Sequence, residues 1–314
     1  MQLVEEPDAF SRALDRARDA GASIGLVPTM GALHAGHRSL IERAVAARDH
    51  VAVSIFVNPL QFDRREDLDR YPRTLDADVS LCADAGVSTV FAPRAAAMFP
   101  ADSATSVSVA GISARWEGAS RPGHFDGVTT VVAKLFALAG PCAAYFGEKD
   151  FQQLAVVRRM ATDLFLPVTI IGCPTVREPD GLALSSRNAH LSADERLAAR
   201  VLWRALVAGR DAVASKEDRP GAVADTMAAV IGTEPLARLD YAAAVDAEDF
   251  TVPRSLDAAR ELRLLVAAVV GAVRLIDNCD ARVPSVAAPR RAGRGDRSRS
   301  ARAALRRDAE GSGD

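Results

Sequence analysis

A doubly wound α/β domain with a mostly parallel sheet, followed by a smaller α+β domain, is the fold class that this 314-residue sequence predicts. Three observations carry it. From residue 23 onward, short β-rich runs alternate with helical segments long enough to cross a sheet face, the pattern of successive βα units. After about residue 175 that alternation stops, and Ala-rich helical stretches lead into β-rich runs that suit antiparallel pairing. Hydrophobic residues make up 49% and charged residues 25%, with a mean hydropathy of +0.03, a balance that lets a chain of this length bury a sizeable core.

The opening MQLVEEPDAFSRALDRA is amphipathic and acidic, without the basic start and apolar block of a secretory leader. Five strands are expected in the first domain: SIGLVPT (23 to 29), VAVSIFV (51 to 57), VSTVFAP (87 to 93), CAAYFG (142 to 147) and VTIIGC (168 to 173). Helical periodicity fits 37 to 49, 74 to 85, 127 to 139 and 151 to 163 between them. Past a boundary near 175, helices are expected over roughly 192 to 215 and 219 to 232. Strands follow at LDYAAAV (239 to 245), ELRLLVAAVV (261 to 270) and VRLIDN (273 to 278). The expected division is therefore 1 to 175, 176 to 284 and a tail from 285 to 314.

That tail holds eight Arg and four acidic residues and few large apolar side chains, so burial cannot offset the entropy of ordering it, and disorder is expected. The whole chain carries 39 basic and 41 acidic side chains, net −2, which advertises neither nucleic acid nor an anionic membrane as partner. An RNA-binding arm would make the tail a source of steeply salt-dependent binding. No run of about 18 apolar residues suggests a membrane span. Cys82, Cys142, Cys173 and Cys279 lie far apart with no CxxC pair, which argues against a zinc ribbon or disulfide scaffold and for a reducing cytoplasm.

In an open parallel sheet, ligands bind beyond the carboxyl ends of the strands. The first strand leads into PTMGALHAGHRSL, which holds two of the five histidines, His34 and His37, with Gly31 and Gly36 beside them and a helix opening near Gly36. Glycine permits close backbone approach, and a helix N-terminus offers unpaired N–H groups, so this turn suits phosphate. Imidazoles add donors that stabilise charge as a phosphoryl bond breaks. Two packed histidines or a metal pair are the competing readings. The loop supplies no Cys, Asp or Glu as a third ligand, and no metal site is expected.

The chain lacks GxxxxGK[ST], a strand-borne GxGxxG and GxSxG, which removes the local support for a Walker NTPase, a dinucleotide site or a hydrolase elbow. The second strand delivers FVNPLQF, where the amides of Asn58 and Gln61 can bond hydroxyls or a carboxylate, although Asn58-Pro59 is also a plain turn signal. The fourth ends in FGEKDFQQL. There Lys149, one of three lysines against 36 arginines, offers a compact charge for phosphate oxygens, and Asp150 can cap the helix carrying Gln152 and Gln153. RPGHFDGVTTVV contributes Arg121 and His124. LALSSRNAHLS contributes Ser185, Ser186 and Arg187, a clamp for phosphate at the domain boundary, where it can close over a ligand.

Taken together, PTMGALHAGH, SIFVNPLQF with EDLDRYPRT, RPGHFDGVTTVV, YFGEKDFQQL, TVREPDGLALSSRN and RLLVAAVVGAVRLIDN resemble, in order and spacing, the pantoate–β-alanine ligase family of the HxGH nucleotidyltransferase superfamily, over residues 1 to about 282. The resemblance implies a Rossmann-like first domain, a smaller C-terminal domain and commonly a homodimer. It implies ATP as substrate with Mg²⁺, no tightly bound organic cofactor, and pantoate and β-alanine as partners joined through pantoyl adenylate with release of AMP and pyrophosphate.

By the same resemblance Met30, Gly31, Ala32, Leu33, His34, Ala35, Gly36 and His37 line the ATP site, with His37 as proton donor and His34 on the phosphates. Lys149 steadies the reacting phosphates. Gly147, Glu148, Lys149 and Asp150, with Val176, Leu184, Ser185, Ser186 and Arg187, contact the nucleotide. Gln61 and Gln153 hold pantoate, Gln61 also lying against β-alanine, with Asn58 and Arg121 nearby. Phe151 stands where tyrosine is frequent, Asp63-Arg64-Arg65 fills a turn that usually bears glycine, and LDYAAAVDAEDF copies its counterpart poorly. A related nucleotidyltransferase that keeps AMP in its product is the nearest alternative; a tRNA synthetase has too little chain beyond the first domain.

Overall fold

The computed structural model describes residues 1–62, 65–258 and 261–281, all within one compact unit, Met1–Arg282. The basic tail, Asp63 and Arg64 lie outside the described residues. Six strands form one parallel sheet: β1 (Gln2–Val4), β2 (Ile24–Thr29), β3 (His50–Ile55), β4 (Thr89–Phe91), β5 (Cys142–Gly147) and β6 (Val168–Cys173), in the order β1-β4-β3-β2-β5-β6. Three more, β7 (Ala237–Asp246), β8 (Leu262–Val270) and β9 (Val273–Asp280), make an antiparallel sheet in chain order. The architecture is thus a Rossmann-like sheet with a smaller antiparallel one, the fold class expected.

The helices of ten or more residues are α1 (Pro7–Asp19), α2 (Ala35–Val45), α3 (Leu75–Asp84), α4 (His124–Ala139), α5 (Phe151–Asp163), α6 (Val201–Ala214) and α7 (Pro220–Ile231). Strand β1 and helix α1 were not among the expected elements. A three-residue edge strand carries no alternation to read; it is fixed by pairing with β4 and by the stacking of Phe10 on Phe91 at 4.4 Å. The stretch expected as one helix over 192 to 215 is two, Ala193–Ala198 and α6. Ser192 and Glu195 form a capping box that starts the first.

One core packs α1, α4 and α5 on one face of the parallel sheet around Phe10, Phe91, Phe136 and Met160, and takes in Phe250 and Leu265 from the second sheet's side. The opposite face carries α2 and α3 around Ile41 and Cys82. A third cluster, spanning residues 182 to 281, joins α6 and α7 to the antiparallel sheet through Leu202, Leu206, Met227 and Leu264. A register shift between Leu239 and Tyr241 in β7 leaves Asp240 without a ladder partner, and its carboxylate takes Nε and Nη2 of Arg274 at 2.9 and 2.7 Å. No described helix is long and apolar enough to cross a membrane.

Candidate active site

The chain runs from β2 toward one side of the parallel sheet and from β5 toward the other, so the switch point falls between β2 and β5. Their carboxyl ends bring together the two turns that the sequence singled out. Beyond β2, Met30 to His34 lead into α2. Beyond β5, a 3-10 turn, Glu148–Asp150, leads into α5.

Both histidines are held by backbone. His34 occupies the N-cap of α2, and its Nδ1 accepts the Gly36 N–H at 3.1 Å; His37 Nδ1 accepts the His34 N–H at 3.4 Å, and the ring centroids are 4.2 Å apart. An acceptor at Nδ1 places the proton of each neutral ring on Nε2, so each imidazole offers an N–H to a ligand. Gly36 is required by closeness: a Cβ there would lie 2.8 Å from His34 Cε1.

Burial, together with the neighbouring His34, pushes His37 down to about 3; burial and the Lys149 charge lower His34 as well, and Asp150 opposes both shifts. Both shifts keep the pair neutral at physiological pH, each ring carrying a single N–H. The depressed value also predicts a stability effect. Between about 3 and the ordinary 6.5, His37 holds fewer protons folded than unfolded, so its contribution is intact above 6.5 and is lost as pH falls through that window. Wild type should therefore lose stability to urea more steeply than His37→Gln from pH 6.5 to 4.5; parallel losses would contradict this.

Lys149 Nζ lies 3.4 Å from Asp150 Oδ1. Burial would raise Asp150, but the Lys149 and Arg187 charges outweigh it and hold the carboxyl below its usual range. Asp150 was expected to cap α5. It does occupy the N-cap position, but its side chain makes no cap hydrogen bond and turns instead to the Lys149 ammonium. Lys149 and Arg187 both line a cavity with Arg121 and Gln153, and a second, adjoining one with Ser185 and Asp277. Leu184 reaches the same place, 3.7 Å from where a Gly36 Cβ would be, and its N–H bonds the Val176 carbonyl at 3.0 Å. Burial pushes the Tyr71 hydroxyl up, and the charge of Arg187 in this segment opposes that shift.

Asn58 is buried, and its side chain bonds the turn and its neighbours. Its Oδ1 accepts the Leu60 N–H at 3.2 Å and starts the 3-10 turn Pro59–Gln61, while Nδ2 donates to Gln61 Oε1 at 3.3 Å and the Gly127 carbonyl at 3.0 Å. Asn58 thereby takes up the side-chain oxygen of Gln61. Arg121 and His124 grip the Gln61 carbonyl at 3.0 and 2.9 Å. Gly127 on α4 lets this turn pack close, since a Cβ would come within 2.2 Å of the Leu60 carbonyl oxygen. The side-chain amide of Gln152 is taken up by backbone, accepting the Glu117 N–H and donating to the Ile112 and Arg115 carbonyls. Among the described residues no group of three or more His, Cys, Asp or Glu is placed to hold a metal.

Sequence reasoning passed over Asp78. This buried carboxylate on α3 accepts the Ala32 and Leu33 N–H groups at 2.9 and 2.8 Å and so fixes the turn before the histidines, where Gly31 and Ala32 take φ of +81° and +50°. Its signal was an acid four residues before Cys82 on the buried face of a helix. Asp78→Ala leaves two N–H groups without their charged acceptor, and should destabilise the fold by about 3 kcal/mol in urea unfolding, with Asp78→Asn milder. A loss under about 1 kcal/mol would show that the turn holds itself.

A parallel sheet with a neutral histidine pair, a lysine and an arginine gathered at its switch point defines a nucleotide-phosphate-binding α/β protein of the paired-histidine type. The sequence profile of the pantoate-beta-alanine ligase family matches residues 2–280. A pantothenate synthetase of Roseiflexus sp. (strain RS-1) is 53% identical over 256 residues, 81% of this chain and 91% of that protein. A crystal structure of the pantothenate synthetase of Thermus thermophilus superposes with a TM-score of 0.85 at 46% identity, covering 90% of this chain and all of that one. The Francisella tularensis ligase, crystallised with beta-gamma ATP and beta-alanine, gives 0.73 at 33% identity, covering 90% and 98%. The chain belongs to the pantoate-beta-alanine ligase family.

Proposed function

We propose that the chain joins pantoate and β-alanine to pantothenate at the expense of ATP, in two steps at one site. A pantoate carboxylate oxygen attacks the α-phosphorus; the bond from that phosphorus to the bridging oxygen breaks, leaving pantoyl adenylate and pyrophosphate. The neutral amine of β-alanine then attacks the acyl carbon, AMP departs, and the amine gives up a proton as the amide forms. The observation that carries this reading is the convergence of His34, His37 and Lys149 from two turns on one switch point.

Carboxylate and triphosphate repel each other, so the reaction needs donors and positioning more than a strong base. The Nε2–H groups of His34 and His37 bond phosphate oxygens, and Lys149 follows the charge as it moves to pyrophosphate. Gln61, oriented by Asn58, holds pantoate with Gln153, and Arg121 sets the backbone of Gln61. Met30 to His37, Gly147 to Asp150, Val176 and Leu184 to Arg187 surround the nucleotide. Glu148 sits apart from that role in its side chain, which faces Arg263 at 3.5 Å. Mg²⁺ enters as the ATP complex and neutralises phosphate charge.

The segment 176 to 188, as the edge of the smaller domain beginning near 175, shields the adenylate from water. The four cysteines are free thiols, which supports the cytoplasm as its place of action, and the family resemblance carries a homodimer. Protein incubated with ATP and Mg²⁺ should release AMP and pyrophosphate in multiple turnover only with both pantoate and β-alanine present, yielding pantothenate. A product that retains AMP would make it a nucleotidyltransferase instead.

A further inference from the structure

We propose that Asn278, on the antiparallel sheet, is a positioning residue for Lys149. It is 4% exposed and every polar atom of its side chain is used: Nδ2 donates to the carbonyls of Glu148 and Lys149 at 3.0 and 2.7 Å, and Oδ1 accepts Arg263 Nε at 2.8 Å. The turn that carries Lys149 ends β5 on the parallel sheet, so its backbone is held in place by a side chain more than a hundred residues away in sequence. Arg263 is fixed in turn, its guanidinium 3.9 Å above the Phe151 ring and 3.5 Å from Glu148 Oε2. Phe151, the residue that departs from the family's frequent tyrosine, thus supplies the face on which this brace rests.

The preceding residue holds the opposite wall. Asp277 takes Arg177 bidentately at 2.6 and 2.9 Å, and its Oδ1 also accepts the Asn278 N–H at 2.7 Å. Arg177 stacks 3.8 Å over Trp203 and bonds the Gly181 carbonyl at 3.1 Å, so it fixes the start of the segment that carries Arg187. Two adjacent residues of β9 therefore brace both Lys149 and the segment that carries Arg187, two of the cations that line the cavity. A lysine displaced by about 1 Å loses much of its hold on the reacting phosphates.

The proposal rests on Lys149 acting on ATP, and a double-mutant cycle separates the two claims. Asn278→Asp keeps the volume and the Arg263 acceptor but replaces the amide donors with an oxygen facing two carbonyls. In pantoate-dependent exchange of labelled pyrophosphate into ATP, it should lower kcat about 10- to 100-fold with a much smaller change in the KM for ATP. In the Lys149→Ala background the same substitution should cost less than about threefold, because the group through which it acts is already gone. Asn278→Ala is the second variant and should behave likewise should Asn278→Asp not fold. Equal losses in both backgrounds overturn the positioning role and leave the reading of Lys149 standing. Full activity of Lys149→Ala overturns both.

Discussion

Lys149→Ala is expected to lower kcat for pantothenate formation about 10²- to 10³-fold while leaving the folded state intact. The ammonium is only 17% exposed in its side chain and lies at the switch point, where donors act with little water between them and the reacting phosphate. Its ion pair with the neighbouring Asp150, at 3.4 Å, is loose enough to yield to phosphate oxygens. The chain uses arginine for nearly all its other basic positions, yet Lys149→Arg should not restore the rate. A planar guanidinium cannot follow charge as it moves from the triphosphate to pyrophosphate in the way a compact ammonium can. Steady-state assay of AMP release, alongside a thermal melt, decides this; a loss below about tenfold would remove Lys149 from the chemistry.

His37→Ala should cost about 10²-fold in kcat, the value of one preorganised donor to a developing oxyanion. The ring is held at Nδ1 by the His34 N–H, so its Nε2–H is aimed without reorganisation, and its low proton affinity keeps it in the form that donates a single hydrogen bond. His34→Ala should lose a comparable amount and more stability, because His34 is the N-cap of α2 and accepts the Gly36 N–H at 3.1 Å, a closer bond than the 3.4 Å one that His37 makes in the same capping box. The distinction is measurable. His37→Ala should change the rate far more than the melting temperature, whereas His34→Ala should change both. Equal rates for His37→Ala and wild type would mean that the pair is a helix-start motif and nothing more.

The parts of this site that were legible in the sequence are those built from one turn. PTMGALHAGH reads as a phosphate-suited helix start because glycine, histidine and a strand end lie within ten residues, and the structure places Ala35–Val45 behind them. Helix α5 matches its expected span, 151 to 163, because its apolar spacing is regular and Gly147 ends the strand before it. What escaped was set by distant partners. The β1 edge depends on pairing with residues 89 to 91, and the division of 192 to 215 into two helices depends on how Ala199 and Arg200 turn between them. Asp78, Asn278 and Glu117 carry no local motif. Glu117 is buried, pairs with Arg274 at 2.8 Å, and ties the segment holding Arg121 to the second sheet, a role visible only once the two are brought together.

The same contrast explains where side-chain roles were misjudged. Asp150 looks like a cap because it precedes a helix, but its side chain makes no cap hydrogen bond and lies instead beside the Lys149 ammonium, a partner that its position before the helix does not reveal. Asn58 reads in the sequence as a turn signal or as an amide for ligand groups; in the structure its Oδ1 starts the turn and its amide nitrogen bonds Gln61, a partner that the local sequence does not single out. Residue type and position define the available chemistry; the partner that claims it is a matter of tertiary placement.

The central claim, that two imidazoles and one ammonium from separate turns grip a single triphosphate, is tested most directly by a crystal structure with pantoate and an ATP analogue that cannot be cleaved between the α- and β-phosphates. The expected result is phosphate oxygens within hydrogen-bond reach of Nε2 of His34, Nε2 of His37 and Nζ of Lys149 at once. Phosphates bound elsewhere, with these three groups facing water or one another, would contradict it.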